Sequence, residues 1–105
     1  MSRFIKAARV DEIGPGTHKI VEVDGVLVVL INLGGTYYAI EDQCTHDGGP
    51  LGEGKLDPAT GQIICPRHGA HFDVRTGAAL TLPAIEPVPT YEVRVEGADV
   101  LVETY

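Results

Sequence analysis

The sequence predicts an all-β protein, an antiparallel sandwich-like base with a small subdomain inserted into it. Three observations carry that expectation. No stretch of the 105 residues sustains a helical period of apolar side chains, while 13 glycines and 7 prolines punctuate the chain into short runs. Asp24-Gly25 separates two β-rich runs, and Asp-Gly is a strong hairpin signal because a type I′ turn needs positive φ at both central positions. The run Val26-Leu27-Val28-Val29-Leu30-Ile31 is apolar on both faces, as a strand buried between two layers must be.

The elements follow in order. Phe4 to Val10 reads as a first strand, ended at Gly14-Pro15-Gly16, where the chain must turn. His18 to Val23 and Val26 to Leu33 form the Asp24-Gly25 hairpin, and Gly34-Gly35 turns the chain into Thr36 to Ile40, which delivers it to Cys44. Thr45 to Asp57 has almost no β pattern, and its glycines imply backbone at positive φ or passing close to something bulky. Asp57-Pro58-Ala59-Thr60-Gly61 is a turn in which proline pre-sets φ and glycine closes it. Gln62 to Cys65 and Ala70 to Val74, anchored by Phe72, are short strands. Pro83, Pro87 and Pro89 exclude Ala78 to Pro89 from a central strand. Tyr91 to Val95 and Val100 to Glu103 alternate around Gly97-Ala98-Asp99 as a closing hairpin. The expectation is a single domain over 1–105, with a subdomain at about 43–82 inserted in a base formed by 1–42 and 83–105.

A domain of this size buries a core but gains from a bound metal. Its only two cysteines are each followed by a histidine, in Cys44-Thr45-His46 and, after Asp47 to Ile64, Cys65-Pro66-Arg67-His68. A lone cysteine is more often a small buried hydrophobe, and a lone histidine more often structural. Two pairs with no cysteine left over, crowded by Gly48, Gly49, Gly52, Gly54 and Gly69, point instead to a metal site. A Cys-x-His pair cannot share a helical face, where side chains meet at spacings of three and four, but a tight loop can turn both groups toward one ion. Structural zinc usually takes clustered cysteines first and histidines second, whereas here they interleave, so zinc stands as the second choice of metal.

At these residues the sequence resembles the Rieske family, whose two-iron, two-sulfur cluster has cysteine on one iron and histidine on the other. The resemblance covers Cys44-Thr45-His46-Asp47-Gly48-Gly49-Pro50-Leu51 and Cys65-Pro66-Arg67-His68-Gly69-Ala70-His71-Phe72-Asp73. It implies one [2Fe-2S] cluster, with Cys44 and Cys65 binding one iron and His46 and His68 the other. It also implies a Rieske-type β-sandwich base and a proline-bearing third loop beside the cluster, with Leu82-Pro83-Ala84 as the loose counterpart. High-potential members carry an extra cysteine in each ligand loop, where this chain has Gly49 and Arg67. They also place a serine and a tyrosine hydroxyl near the cluster, where Ala70 and Phe72 stand here and donate nothing from their side chains. The resemblance therefore implies a potential near the low end of the Rieske range.

A low-potential chain of this kind resembles the ferredoxin component of multicomponent aromatic-ring oxygenases. The role implied is a soluble one-electron carrier from a flavoprotein ferredoxin reductase to a terminal oxygenase. It is not an enzyme: four ligands fill the iron positions, and the two-histidine, one-carboxylate set of a catalytic iron is not evident. Two rivals are the small Rieske-type subunit of a cytoplasmic nitrite reductase and, from another class, a zinc-stabilised interaction module.

The net charge of -7 argues against nucleic acid as a partner. Neither an 18-residue apolar run nor a charged-then-apolar leader precedes or interrupts the pattern, so the expectation is no membrane span and no secretory signal. With both cysteines committed to metal there is no disulfide, which fits a reducing cytoplasm, and a monomer is expected. Between Glu41 and Thr60, Glu41, Asp42, Asp47, Glu53 and Asp57 stand against Lys55, which reads either as a solvated surface or as a docking face. His18 reads as structural, His71 as exposed or hydrogen-bonding, and Arg67 as a solvated loop residue or a tuning charge.

Overall fold

The computed structural model describes residues 3–45, 48–67 and 69–104. Among these, ten strands follow the chain: β1 (Arg3–Arg9), β2 (His18–Val23), β3 (Val26–Leu33), β4 (Thr36–Glu41), β5 (Lys55–Asp57), β6 (Gln62–Ile64), β7 (His71–Asp73), β8 (Thr90–Tyr91), β9 (Val93–Glu96) and β10 (Asp99–Thr104). They pair antiparallel into three sheets, ordered β1-β10-β9, β2-β3-β4-β8 and β5-β6-β7. The all-β antiparallel architecture is the one expected. No helix among the described residues is long and apolar enough to cross a membrane.

The doubly apolar run of β3 divides the interior, because successive side chains of a strand point to opposite faces. Val28 and Leu30 pack toward the first sheet with Ala8, Ile13, Val100 and Val102. Val29 and Ile31 pack the other way, with Ile40, Leu51, Ile63 and Phe72. All four β3 residues are fully buried, each contributing about 1.5–3 kcal/mol relative to exposure. The layer beyond Val29 and Ile31 also holds Cys44 and Cys65, so the two cysteine-bearing loops are packed against the central sheet.

Both two-residue turns form as expected. Asp24 and Gly25 have φ of 52° and 82° and join Val23 directly opposite Val26. Gly34 and Gly35 have φ of 61° and 98° and join Leu33 opposite Thr36. Upstream, Glu12 in a 3₁₀ turn accepts from the Arg9 amide at 2.9 Å and from Lys19 Nζ at 2.7 Å, tying that turn to β2. The Lys19 bond, and then the Arg9 amide, hold the exposed Glu12 carboxyl below its ordinary range.

Two expectations need correction. The stretch between Thr45 and Asp57 holds a 3₁₀ turn at Leu51–Glu53 and the strand β5, which pairs with β6. A three-residue strand with one inward side chain, Leu56, is too short to show a period. Tyr91 to Val95 is not one strand: the run breaks at Glu92, β8 pairing with β4 and β9 with β10, so that one segment crosses from the central sheet to the first. Alternation reveals a face but not which neighbour a strand pairs with.

Gly54 sits where the 3₁₀ turn enters β5, and a Cβ there would lie 1.8 Å from the Ile64 carbonyl oxygen. Its φ is an ordinary -80°, so space alone demands glycine. Gly54→Ala is expected to destabilise the fold by about 1–3 kcal/mol through overpacking. Urea unfolding checks this, and an unchanged midpoint would contradict the close approach of β5 and β6.

Candidate metal centre

The two cysteine loops are built alike. The Cys44 amide donates to Gly49 O at 2.8 Å, and its carbonyl accepts from the Gly48 amide at 2.7 Å. The Cys65 amide donates to Ala70 O at 2.8 Å, and its carbonyl accepts from the Gly69 amide at 3.0 Å. In each loop the cysteine bonds to the residues four and five positions on, and the fourth is a left-handed glycine, with φ of +75° at Gly48 and +73° at Gly69. A side chain there would be strained, which is why glycine occupies both positions. The loops leave from ordered strands, one shortly after β4 and the other directly after β6.

Both cysteines are 1% exposed and belong to one packed cluster with Leu51, Ala70, Phe72 and Ala84. They are not joined in a disulfide. The structure thus brings together the two sulfur donors that the sequence singled out. His46 and His68 lie outside the described residues; along the chain, each falls between its cysteine and the left-handed glycine that closes the loop. Two sulfur donors from twin loops, with one imidazole carried in each loop, are the donor chemistry that a cluster held unequally by sulfur and nitrogen requires.

The segment after β7 completes one side of the site. Thr45 Oγ1 donates to Glu86 O at 2.7 Å, fastening this segment to the first loop, and Ala84 packs in the cluster that contains both cysteines. Leu82 and Ile85 are each 78% exposed on the same segment. Leu82-Pro83-Ala84, with a cis peptide between Leu82 and Pro83, thus runs beside the cysteine loops. His71 hydrogen-bonds through Nδ1 to Gln62 Oε1 at 2.8 Å, the hydrogen-bonding role expected of it.

Sequence reasoning missed the clasp on Gly52. His18 Nε2 meets Gly52 O at 2.9 Å, and the Gly52 amide donates to Asp42 Oδ1 at 2.6 Å. A Cβ on Gly52 would fall 2.4 Å from Ile20 Cγ1, so the turn after the first loop lies flat on β2 and β3. Nothing in the sequence links His18 to a residue 34 positions away, because the contact exists only once β2 and the 3₁₀ turn are packed.

Three antiparallel sheets offering paired, buried cysteine loops of this design suit an iron–sulfur centre. The family model described as Rieske [2Fe-2S] domain matches residues 3–92. The chain belongs to that family, and its cofactor is one Rieske-type two-iron, two-sulfur cluster. It is 46% identical over 78 residues to the 3-phenylpropionate/cinnamic acid dioxygenase ferredoxin subunit of Shigella boydii serotype 4 (strain Sb227), covering 73% of this chain and 72% of that one. The ferredoxin of carbazole 1,9a-dioxygenase from Nocardioides aromaticivorans IC177 superposes with a TM-score of 0.91 at 37% identity, covering 94% of this chain and 95% of that chain. A chain in the complex of reduced oxygenase and oxidized ferredoxin in carbazole 1,9a-dioxygenase superposes with a TM-score of 0.87 at 35% identity, over 94% and 91% of the two chains.

Proposed function

We propose that this chain is the ferredoxin component of an aromatic-ring oxygenase system, taking single electrons from a flavoprotein ferredoxin reductase and passing them to the terminal oxygenase. The observation that carries the reading is the near full-length likeness to dioxygenase ferredoxins. In this reading it is an electron-transfer component and not the catalyst of its system, and it works in the cytoplasm as a monomer.

Cys44 and Cys65 would hold one iron and His46 and His68 the other, within a cluster-binding subdomain at about 43–82 that contains β5, β6, β7 and both loops. When bound, the cluster supplies a one-electron couple whose potential follows from the sulfur and nitrogen donors. The chain's own part is to bury the two sulfurs, fix the loops by paired backbone bonds and present a face to partners. The apolar Leu82 and Ile85, fastened to the first loop through Thr45 and Glu86, support a docking face for the terminal oxygenase.

Leu82→Glu is expected to slow electron transfer to the oxygenase roughly tenfold while leaving iron and sulfide content unchanged, since a carboxylate would have to be desolvated on docking. Stopped-flow oxidation of the reduced protein measures this. The broader reading is tested by reconstitution: oxygenase turnover must depend on the chain when an aromatic-ring oxygenase and a flavoprotein reductase are supplied. A loaded protein that neither accepts nor delivers electrons in such mixtures refutes it.

A further inference from the structure

We propose that His18 is a positioning residue of the metal centre: by holding the Gly52 carbonyl it keeps the Leu51–Glu53 turn closed on the central sheet and so limits the water that reaches the cluster. The inference rests on the reading of Cys44 and Cys65 as iron ligands.

His18 opens β2, the edge strand of the central sheet, and stands directly opposite Ile31, while Ile20 stands opposite Val29. Residues opposed in a ladder share a face, so His18 and Ile20 look toward the same layer as Val29 and Ile31, the layer that contains both cysteines. The 3₁₀ turn lies on this floor. Leu51 is fully buried in one cluster with Cys44, Cys65, Ile63 and Phe72, and Gly52 is buried beside it, where a Cβ would meet Ile20 and Val29.

The turn's own bonds, from the Glu53 amide to Pro50 O at 3.4 Å and from the Gly54 amide to Leu51 O at 3.0 Å, do not reach the sheet. The two ends of Gly52 do. Its amide donates to Asp42 Oδ1 at 2.6 Å, just beyond β4, and its carbonyl accepts from His18 Nε2 at 2.9 Å, on β2. A carbonyl oxygen only accepts, so Nε2 carries the hydrogen, and it keeps that hydrogen whether or not Nδ1 is protonated. The bond is a fixed tether in either charge state.

A buried carbonyl must find a donor. Without His18, water has to satisfy the Gly52 carbonyl, and the half-buried ring no longer fills the open edge of β2. Water then enters beneath the turn, next to Leu51 and the layer that holds the sulfurs. Donors that reach cluster sulfurs favour the electron-rich reduced state, and solvent exposure is itself a determinant of the potential. Local opening of the turn also gives iron an exit.

The experiment compares His18→Leu, which keeps an apolar side chain and loses the donor, with His18→Gln, whose amide nitrogen reaches about as far as Nε2. Two quantities are measured on cluster-loaded protein: the midpoint potential by redox titration, and the rate at which a ferrous-iron chelator draws iron from the reduced form. His18→Leu is expected to raise the potential and to release iron roughly fivefold faster, the factor that the net worth of one hydrogen bond allows, while His18→Gln matches the wild type in both. Loaded His18→Leu with the wild-type potential overturns the inference even where iron leaves faster, because loosened packing alone would do that. A His18→Gln protein that behaves like His18→Leu overturns it too, since the donor would then not be the cause. Should His18→Leu fail to load, His18→Asn takes its place: its amide is too short to reach the Gly52 carbonyl, and a wild-type potential there overturns the inference instead. Wild-type protein lacking iron and sulfide would defeat the ligand reading, and this inference with it, whereas an unshifted His18→Leu leaves that reading standing.

Discussion

Cys65→Ser, prepared anaerobically, is expected to carry little iron or acid-labile sulfide and to be nearly colourless. The backbone bonds of the second loop, from Cys65 to Ala70 and from Gly69 to Cys65, do not involve the sulfur and survive the change. What is lost is the thiolate, the anionic donor of the pair, and a serine hydroxyl does not replace it at neutral pH. Because metal binding free energy is also folding free energy, the variant should be less stable by several kcal/mol than the loaded wild type. His46→Cys is expected to behave differently, retaining a cluster at lower potential because a further thiolate adds negative charge. Iron and sulfide assays with visible spectra read both outcomes. Equal, unaltered spectra in the two variants would overturn the assignment of Cys65 and His46 as ligands.

The wild-type potential is expected to lie near roughly -150 mV, at the low end of the Rieske range. Ala70 and Phe72 are fully buried in the cluster of side chains that holds both cysteines, and neither side chain offers a hydrogen-bond donor. Donors aimed at cluster sulfurs favour the electron-rich reduced state. Phe72→Tyr and Ala70→Ser are thus expected to raise the potential, on the order of 60 mV for each 1.4 kcal/mol by which the new bond favours reduction. Direct electrochemistry settles the matter, and a clearly positive wild-type value would defeat the expectation.

Much of the frame was legible because it rests on local chemistry. Asp24-Gly25 and Gly34-Gly35 dictated their turns, and the two-faced run of β3 announced a strand between layers. That Cys44 and Cys65 share one buried cluster accords with the repeated Cys-His boxes, and the glycine four residues after each cysteine marks the shared loop design. What was not legible depends on neighbours distant in sequence. Lys55-Leu56-Asp57 becomes a strand only because β6 lies beside it, and Thr90 to Glu96 divides because two sheets compete for its edges. Asp42 read as one acid among several until packing buried it.

The division of that last segment has a mechanical corollary. Glu92 passes the backbone from β8 to β9, and its carbonyl still accepts from the Glu103 amide at 2.9 Å. The crossing acts as a rivet: prising the outer sheet away would drag β8 off β4, the strand that leads into the first cysteine loop. Rigidity at the electron's seat is thereby borrowed from the far side of the molecule, and little atomic rearrangement need accompany each charge that arrives or departs.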